Sequence, residues 1–363
     1  MPTMPAPALH LLLPFALPSA ADAATALHGL ESAALDRLLA RATLAERSIG
    51  KDFQRTLPHE RWISWRFGAV TPVDQRYADD APLAPFMLLA DGGTPDDALW
   101  ACIEPVHVRI AHDHLALIDP DTLGVRTEEA RTLFEAAKPV IEDLGVTLQA
   151  PTPLRWYVSG EKLGTLAGAS PLRATGRNIE IWLPHEARTG ERSRAWMKLQ
   201  NEVQMAWFEH PLNVERESRG LPAINSIWLH GQGALHPVTS PFIRVMSDAA
   251  ATRGLALAAG IVPAAPPESF ATFASNADAG TTLIELDSFS APFIEQDWAR
   301  WNQSLRELEA AWFAPALVAL TDGSLARLGI TLCGDTGSVT LTVTRGDLRK
   351  FWRRRPLAAL FIE

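Results

Sequence analysis

The chain has 363 residues, a formal net charge of −9, 47% hydrophobic and 21% charged residues. That balance suits a protein with a proper core, built as one large α/β unit or as a main domain with an insertion. No overall basic field exists to hold a phosphate backbone, so no nucleic-acid partner is expected. The two cysteines, Cys102 and Cys333, lie far apart; they fit a reducing compartment and form neither a disulfide framework nor a zinc motif.

Leu9 to Ala24, LHLLLPFALPSAADAA, opens with an apolar run followed by small residues, as a signal peptide does. No Lys or Arg precedes it, and Pro14 and Pro18 interrupt it. A buried first strand, LHLLLPF, followed by a loop is expected. No apolar segment approaches the roughly 18 residues of a membrane span, so no membrane partner is expected and the cytoplasm is the default location. Glu31 to Thr43 places leucines and alanines at helical spacing against a charged face, an amphipathic helix. Strand then helix opens an α/β pattern. Residues 58 to 100 read as irregular, or helical in short pieces.

Cys102 to Pro120 holds two strand-like runs around the polar AHDH and reads as a β-hairpin. Its His107, His112, Asp113 and His114 invite a metal site, but three or four ligands must converge for one, and Asp and His around a turn are simply tolerated. Thr127 to Gly145 is a helix with Thr127 as N-cap, acidic residues in the first turn and Gly145 at its end. LRWYVSG and IEIWLP read as strands, and SGEKLG as a turn. These elements suggest an α+β domain over residues 100–190.

The βα alternation then returns. SRAWMKLQNEVQMAWFEHP carries Trp196, Leu199, Val203 and Trp207 on one helical face, with Pro211 as its stop. INSIWLHG has the continuous apolar character of a strand buried in a parallel sheet. PFIRVMSD, GTTLIELDS, RLGITLCGD and SVTLTVT are further strands, and QDWARWNQSLRELEAAWFAPALVALT a long helix. RKFWRRRP, Arg349 to Pro356, is the one basic run and reads as a solvated helix face. Residues 1–99 and 191–363 thus form a mostly parallel α/β domain into which 100–190 is inserted.

Chemistry concentrates in HPLNVERESRGLPAINSIWLHGQG, His210 to Gly233. Asn213 and Arg216 are three apart and share a helical face. Asn225 precedes the apolar strand, and His230, Gly231, Gln232 and Gly233 follow its core. A Gly-Gln-Gly turn at a strand's carboxyl end lets a ligand approach the backbone, while Asn and Arg offer neutral donors and an anion clamp. Equally, the asparagines can cap turns and Arg216 can pair with Glu202 or Glu217. The chain has no G-x-S-x-G, Walker or HExxH motif. LCGDTGS holds Asp335, a possible ligand or acid, or an Asx turn.

The order EEARTLFEAA, then HPLNVERESRGLPAINSIWLHGQG, then GLALAAG resembles archaeal-type cofactor-independent phosphoglycerate mutases of the alkaline phosphatase superfamily. LDRLLARA, EPVHVRI, LRWYV and NEVQMAWFEHPLNVERESRG are similar to a bacterial phosphoglycerate-mutase-like family, also labelled pathogenicity-factor regulatory proteins. The resemblance implies an alkaline-phosphatase-like sheet domain with an inserted α+β domain. It does not imply the activity. The family's Asp-Gly metal ligand after the first strand corresponds to LLLPFALP here, and no Gly-Ser-Asp nucleophile follows the first helix. ELDSFSAPF keeps Asp287 without the later His, and CGDTGS keeps Asp335 with Thr336 in place of His.

The expectation is therefore a catalytically degenerate, regulatory or small-anion binding protein, with a phosphorylated small molecule as partner and no cofactor. Asn213, Arg216, Asn225, His230, Gly231, Gln232 and Gly233 would line the site; no metal is expected, with Asp287 and Asp335 the residual candidates. An active metal-dependent phosphomutase or phosphatase with rearranged ligands is the alternative. A protein-interaction module presenting DWARWNQ and KFWRRRP is a third reading.

Overall fold

The computed structural model describes residues 6–51, 53–70, 72–73, 76–77, 80–160, 163, 166–186, 189–190 and 193–360. Its principal elements are β1 (Ala8–Leu13), α1 (Ala33–Arg41), β2 (Thr43–Ile49), α2 (Pro58–Arg66), α3 (Leu83–Ala90), β3 (Leu99–Val106), α4 (Thr127–Glu142), β4 (Thr147–Gln149) and β5 (Trp156–Ser159). There follow α5 (Arg194–Trp207), α6 (Pro211–Ser218), β6 (Ser226–Ala234), β7 (Arg244–Met246), α7 (Ala250–Ala258), β8 (Thr281–Glu285), α8 (Trp298–Leu308), α9 (Ala314–Asp322), β9 (Arg327–Cys333) and β10 (Gly337–Thr344). Unit one comprises Met1–Lys51, Pro58–Ala78 and Val238–Glu363, and unit two Asp52–Leu57 and Asp79–Pro237.

Unit one is an α/β layer structure around a six-stranded sheet, ordered β7-β8-β1-β9-β10-β2. The first four strands run parallel and the last two pair antiparallel. β1 lies between two parallel neighbours, with Leu11 opposite both Ile284 and Ile330. A strand flanked and covered in this way must be apolar on both faces, which is why LHLLL does not alternate. Its one polar side chain, His10, bonds through Nε2 to the Thr331 hydroxyl at 2.8 Å and packs its ring 4.8 Å from that of Trp62. Helices flank the sheet: α1 packs against α9, and α2 against α7. Among the described residues no helix is long and apolar enough to cross a membrane.

Unit two is built on a four-stranded antiparallel sheet ordered β6-β3-β5-β4. Alternation divides its residues between two faces. Ala101, Ile103, Trp156, Val158, Ile227 and Leu229 point to a core shared with Leu133, Ala137 and Ile141 of α4 and with Trp196, Leu199, Val203 and Trp207 of α5. The intervening positions Cys102, Glu104, Tyr157, Trp228 and His230 belong to the other face, where Trp228 joins a second apolar cluster with Val106, Leu117 and Ile179.

The units divide elsewhere than at 100 and 190. The whole stretch from 191 to 237 belongs to unit two, because β6 pairs antiparallel with β3 from Ser226 opposite Val106 to Ala234 opposite Leu99. INSIWLHG is thus not a strand of the parallel sheet. A strand buried on both faces looks alike in either setting, so composition could not distinguish them. The helix expected to run to Pro211 ends at Trp207; Glu209 turns the chain with φ 57°, and Pro211 starts α6 behind an N-cap at His210. Proline at the first helical turn loses no hydrogen bond, so it begins a helix here.

Other local readings shift similarly. Within Cys102 to Pro120 the hairpin is the smaller one, Val108–Ile110 with Leu115–Leu117. Its turn bears an exposed Asp113, which meets the half-buried His114 at 2.7 Å. IEIWLP forms a 3-10 turn at Ile179–Ile181, capped by the Asn178 side chain, which accepts from the Glu180 amide at 3.0 Å. Thr127 is the first helical residue of α4, and Arg126 is the cap. Of SGEKLG, residues 161, 162 and 164 lie outside the described residues.

Candidate functional site

The loops beyond the carboxyl ends of parallel strands are where α/β sheets take ligands. In unit one these ends deliver Pro14 and Phe15 after β1, Ser247 after β7, Glu285 and Asp287 at β8, and Asp335 after β9. Phe15 is fully buried, with a left-handed φ of 52°. That conformation costs a non-glycine residue about 1–2 kcal/mol. Surrounding bonds hold it: its carbonyl accepts from Trp301 Nε1 at 3.0 Å, and two residues on the Leu17 amide donates to the Cys333 carbonyl at 3.0 Å. The Phe15 ring lies 4.9 Å from that of Phe293 and edge-on to His59. The end of the central strand is therefore aromatic rather than charged.

Beside it, Glu285 is buried and accepts from the Ser247 hydroxyl at 2.6 Å. Burial raises its pKa to about 7, and the charges of Asp287 and Glu60 push the same way against hydrogen bonds from Ser247 and Thr252. Asp287 accepts from the Ser290 amide at 3.1 Å and hydroxyl at 2.8 Å, at the start of the short helix Ser290–Ile294. Asp335 is half-buried in the turn joining β9 to β10. Among the described residues, neither aspartate belongs to a group of three His, Cys, Asp or Glu side chains at mutual ligating distance.

The residues of His210 to Gly233 lie in unit two, and the fold uses most of their bonding capacity. Asn213 donates to the Trp207 and Ile224 carbonyls at 3.1 and 2.8 Å and accepts from the Ile224 amide at 2.8 Å. Arg216, fully buried, donates to Glu129 at 2.7 Å and to the carbonyls of Leu123 and Pro222 at 2.6 and 2.9 Å. Burial would raise the Glu129 pKa, but the Arg126 hydrogen bonds and the charges of Arg216 and Arg126 outweigh it, and the net shift is downward. Asn225 clasps one residue of the small hairpin, accepting from the Val108 amide at 2.8 Å and donating to its carbonyl at 2.9 Å.

These bonds correct the sequence reading of Asn213, Arg216 and Asn225 as ligand contacts. Their partners are the chain's own carbonyls and amides and Glu129, and each of the three guanidinium nitrogens of the fully buried Arg216 already donates within the fold. The pairing of Arg216 with Glu202 or Glu217 is likewise replaced by one with Glu129.

The glycines admit the protein's own chain. A Cβ on Gly233 would stand 2.1 Å from Pro82 Cβ, and one on Gly231 would stand 3.1 Å from the Ala84 amide. Gly231 also takes φ 70°, beside an irregularity in the β6–β3 ladder between His230 and Gly233. Gln232 accepts from the Gly168 amide at 3.2 Å, while its buried Nε2 has no hydrogen-bond partner among the described residues.

His230 stands apart from this pattern. It is directly opposite Cys102, and its Nε2 lies 3.3 Å from Glu104. Cys102, Glu104 and His230 are the one group of three metal-ligating residues among the described residues whose ligand atoms all fall within 4.8 Å of one another. Sequence reasoning singled out His230 but missed Cys102 and Glu104. Their signal was the i, i+2 spacing on a strand, which puts both on one face, yet nothing local showed that His230 pairs across from them.

No protein-family model matches the chain, and no curated protein matches it. Solved structures are similar. The PH0037 protein from Pyrococcus horikoshii aligns over 98% of this chain and 92% of its own at 11% identity, with a TM-score of 0.52. A cofactor-independent phosphoglycerate mutase from Thermoplasma acidophilum DSM 1728 aligns over 98% of this chain and 95% of its own at 14% identity, with a TM-score of 0.46. At 11% identity, what this chain shares with the Pyrococcus protein is the fold.

Proposed function

We propose that this chain is a catalytically degenerate phosphoglycerate-mutase-like protein that works by binding, as a regulatory or small-anion binding protein. The observation that carries the reading is Phe15. Where the family resemblance implies an Asp-Gly metal ligand, this chain buries a phenylalanine against His59 and Phe293. Two-metal phosphoryl transfer needs several charged ligands at each ion and an activated nucleophile. An aromatic plug at the central strand and an Asp287 engaged with Ser290 argue against both. Anion recognition, in this reading, falls to Arg353, Arg354 and Arg355, which line a surface groove with Thr43 and Leu44 in unit one. Guanidinium groups suit phosphate oxygens by charge and by forked geometry.

Calorimetric titration with a panel of phosphorylated metabolites, run beside mutase and phosphatase assays with added manganese or zinc, tests the proposal. Binding without turnover, weakened in Arg354→Ala, is the expected result. Metal-dependent turnover would overturn it in favour of an active phosphatase or phosphomutase. That second reading draws on the carboxylates of Glu285, Asp287 and Glu60, the last two of which act electrostatically on the first. Absence of any metabolite binding would remove the small-anion part of the proposal.

A further inference from the structure

Cys102 and Glu104 are two apart on β3 and project from the same face of unit two's sheet. His230, on the adjacent strand β6, is the cross-strand partner of Cys102. A thiol, a carboxylate and an imidazole thus meet within 4.8 Å on two neighbouring strands. We propose that Cys102, Glu104 and His230 bind a divalent transition-metal cation of the zinc class.

The donor set selects the cation. Magnesium and calcium take oxygen ligands, whereas sulfur, nitrogen and one carboxylate oxygen together suit zinc, with bonds of about 2.0–2.3 Å. Three protein ligands leave a fourth tetrahedral position to water or a further group.

Two independent features of the surroundings point the same way. His230 is 3% exposed, and its Nδ1 has no hydrogen-bond partner among the described residues. A buried imidazole nitrogen without a partner costs on the order of 1–3 kcal/mol, so the hydrogen-bonding capacity of this histidine is incompletely met by the described residues. Behind the thiol stands a second layer. Tyr157, across from Cys102 on β5, donates its one phenolic proton to Asp91 at 2.5 Å. Asp91 is gripped by Arg155 through two bonds of 2.6 and 2.7 Å. Bonded outer groups of this kind beside the ligands are a regular part of metal sites.

A nucleophilic Cys–His pair is the competing chemistry for these residues. It requires a histidine nitrogen directed at the sulfur, whereas His230 Nε2 faces Glu104 at 3.3 Å. A cation would bind the thiolate with release of its proton. Glu104 keeps 16% of its side chain exposed and gives the cation its route in.

The test uses the full chain, stripped with a chelator and titrated with cobalt(II). A thiolate-to-cobalt charge-transfer absorption should rise to saturation at a single cobalt per chain and be bleached by zinc. Cys102→Ser should abolish the band and Cys333→Ser should keep it. Tyr157→Phe should weaken cobalt binding about 10–100-fold through the loss of the hydroxyl that ties Asp91 into the layer beside the site. A wild-type chain with no charge-transfer band, or a band that survives Cys102→Ser, would overturn the assignment. Should Cys102→Ser not fold, Glu104→Gln and Tyr157→Phe decide it, and unchanged cobalt affinity in both would overturn it equally.

Discussion

Arg216 and Glu129 form an ion pair at 2.7 Å, with side chains 0% and 5% exposed. The arginine comes from α6 and the glutamate from the first turn of α4, so the pair ties two helices of unit two together. Arg126 and Arg219 also reach Glu129, at 2.9 and 3.5 Å.

Arg216→Met should therefore destabilise unit two by less than a typical broken buried pair. Removing one partner of such a pair costs about 3–5 kcal/mol because the other charge is stranded. Here the two further arginines continue to neutralise Glu129, which places the expected loss near the bottom of that range. Urea denaturation followed by tryptophan fluorescence measures it. The depressed Glu129 pKa adds a pH signature. Its contribution is present above the unfolded value near 4.5 and is lost as pH falls through the lower folded value, so the wild-type and variant stabilities should converge in acid.

Gly233→Ala should be among the most disruptive single-methyl additions in unit two. The new Cβ would stand 2.1 Å from Pro82 Cβ and 2.7 Å from its Cα, where backbone must move. Overpacking of this kind costs about 1–3 kcal/mol. Gly220→Ala is the control: φ is 74°, but nothing lies within 4 Å, so only the backbone strain of about 1 kcal/mol applies. Melting temperatures of the two variants should differ accordingly.

These two cases show what the sequence could and could not reveal. LHLLLPF, GTTLIELDS and RLGITLCGD read correctly as strands because parallel strands covered on both faces are apolar throughout. Trp196, Leu199, Val203 and Trp207 read correctly as a buried stripe because helical spacing alone defines it. Asn213 and Arg216 looked like ligand donors because their spacing is local, while the groups that occupy them are not. Glu129 lies 87 residues from Arg216, and Glu104 lies 126 residues from His230. Polar residues announce that they need partners, not whether the partner is a ligand or the chain itself. The unit boundary was hidden for the same reason, since only strand pairing assigns β6 to β3.

Cys102 and Cys333 are both fully buried, and burial pushes both thiols up; Glu104 adds to this at Cys102 and Glu285 at Cys333. Neither should react with a thiol-specific disulfide reagent in the native protein at neutral pH, and both should react once denaturant is added. Spectrophotometric thiol counting with and without denaturant checks this. Rapid native labelling of either residue would contradict the packing described for its strand.

His10 and Glu285 make opposite demands on pH within unit one. His10 is half-buried, and desolvation, reinforced by the charges of Arg66 and Arg327, lowers its pKa from 6.5 to about 3. The stability tied to it is complete above 6.5 and is lost as pH falls toward 3, because the unfolded chain binds the proton first. Glu285 runs the other way. Its pKa rises from 4.5 to about 7, so its stability is complete below 4.5 and is lost as pH rises through 7. Between roughly pH 4.5 and 6.5 each contributes a slope of about 1.4 kcal/mol per pH unit, with opposite signs. In that window the two cancel in the wild type. Glu285→Gln removes the falling component and should leave a stability that rises with pH. His10→Gln removes the rising one and should leave a stability that falls. Denaturation curves across the window, taken as differences from the wild type, subtract every other titrating group. Parallel profiles for the two variants would show that neither group titrates as its burial demands.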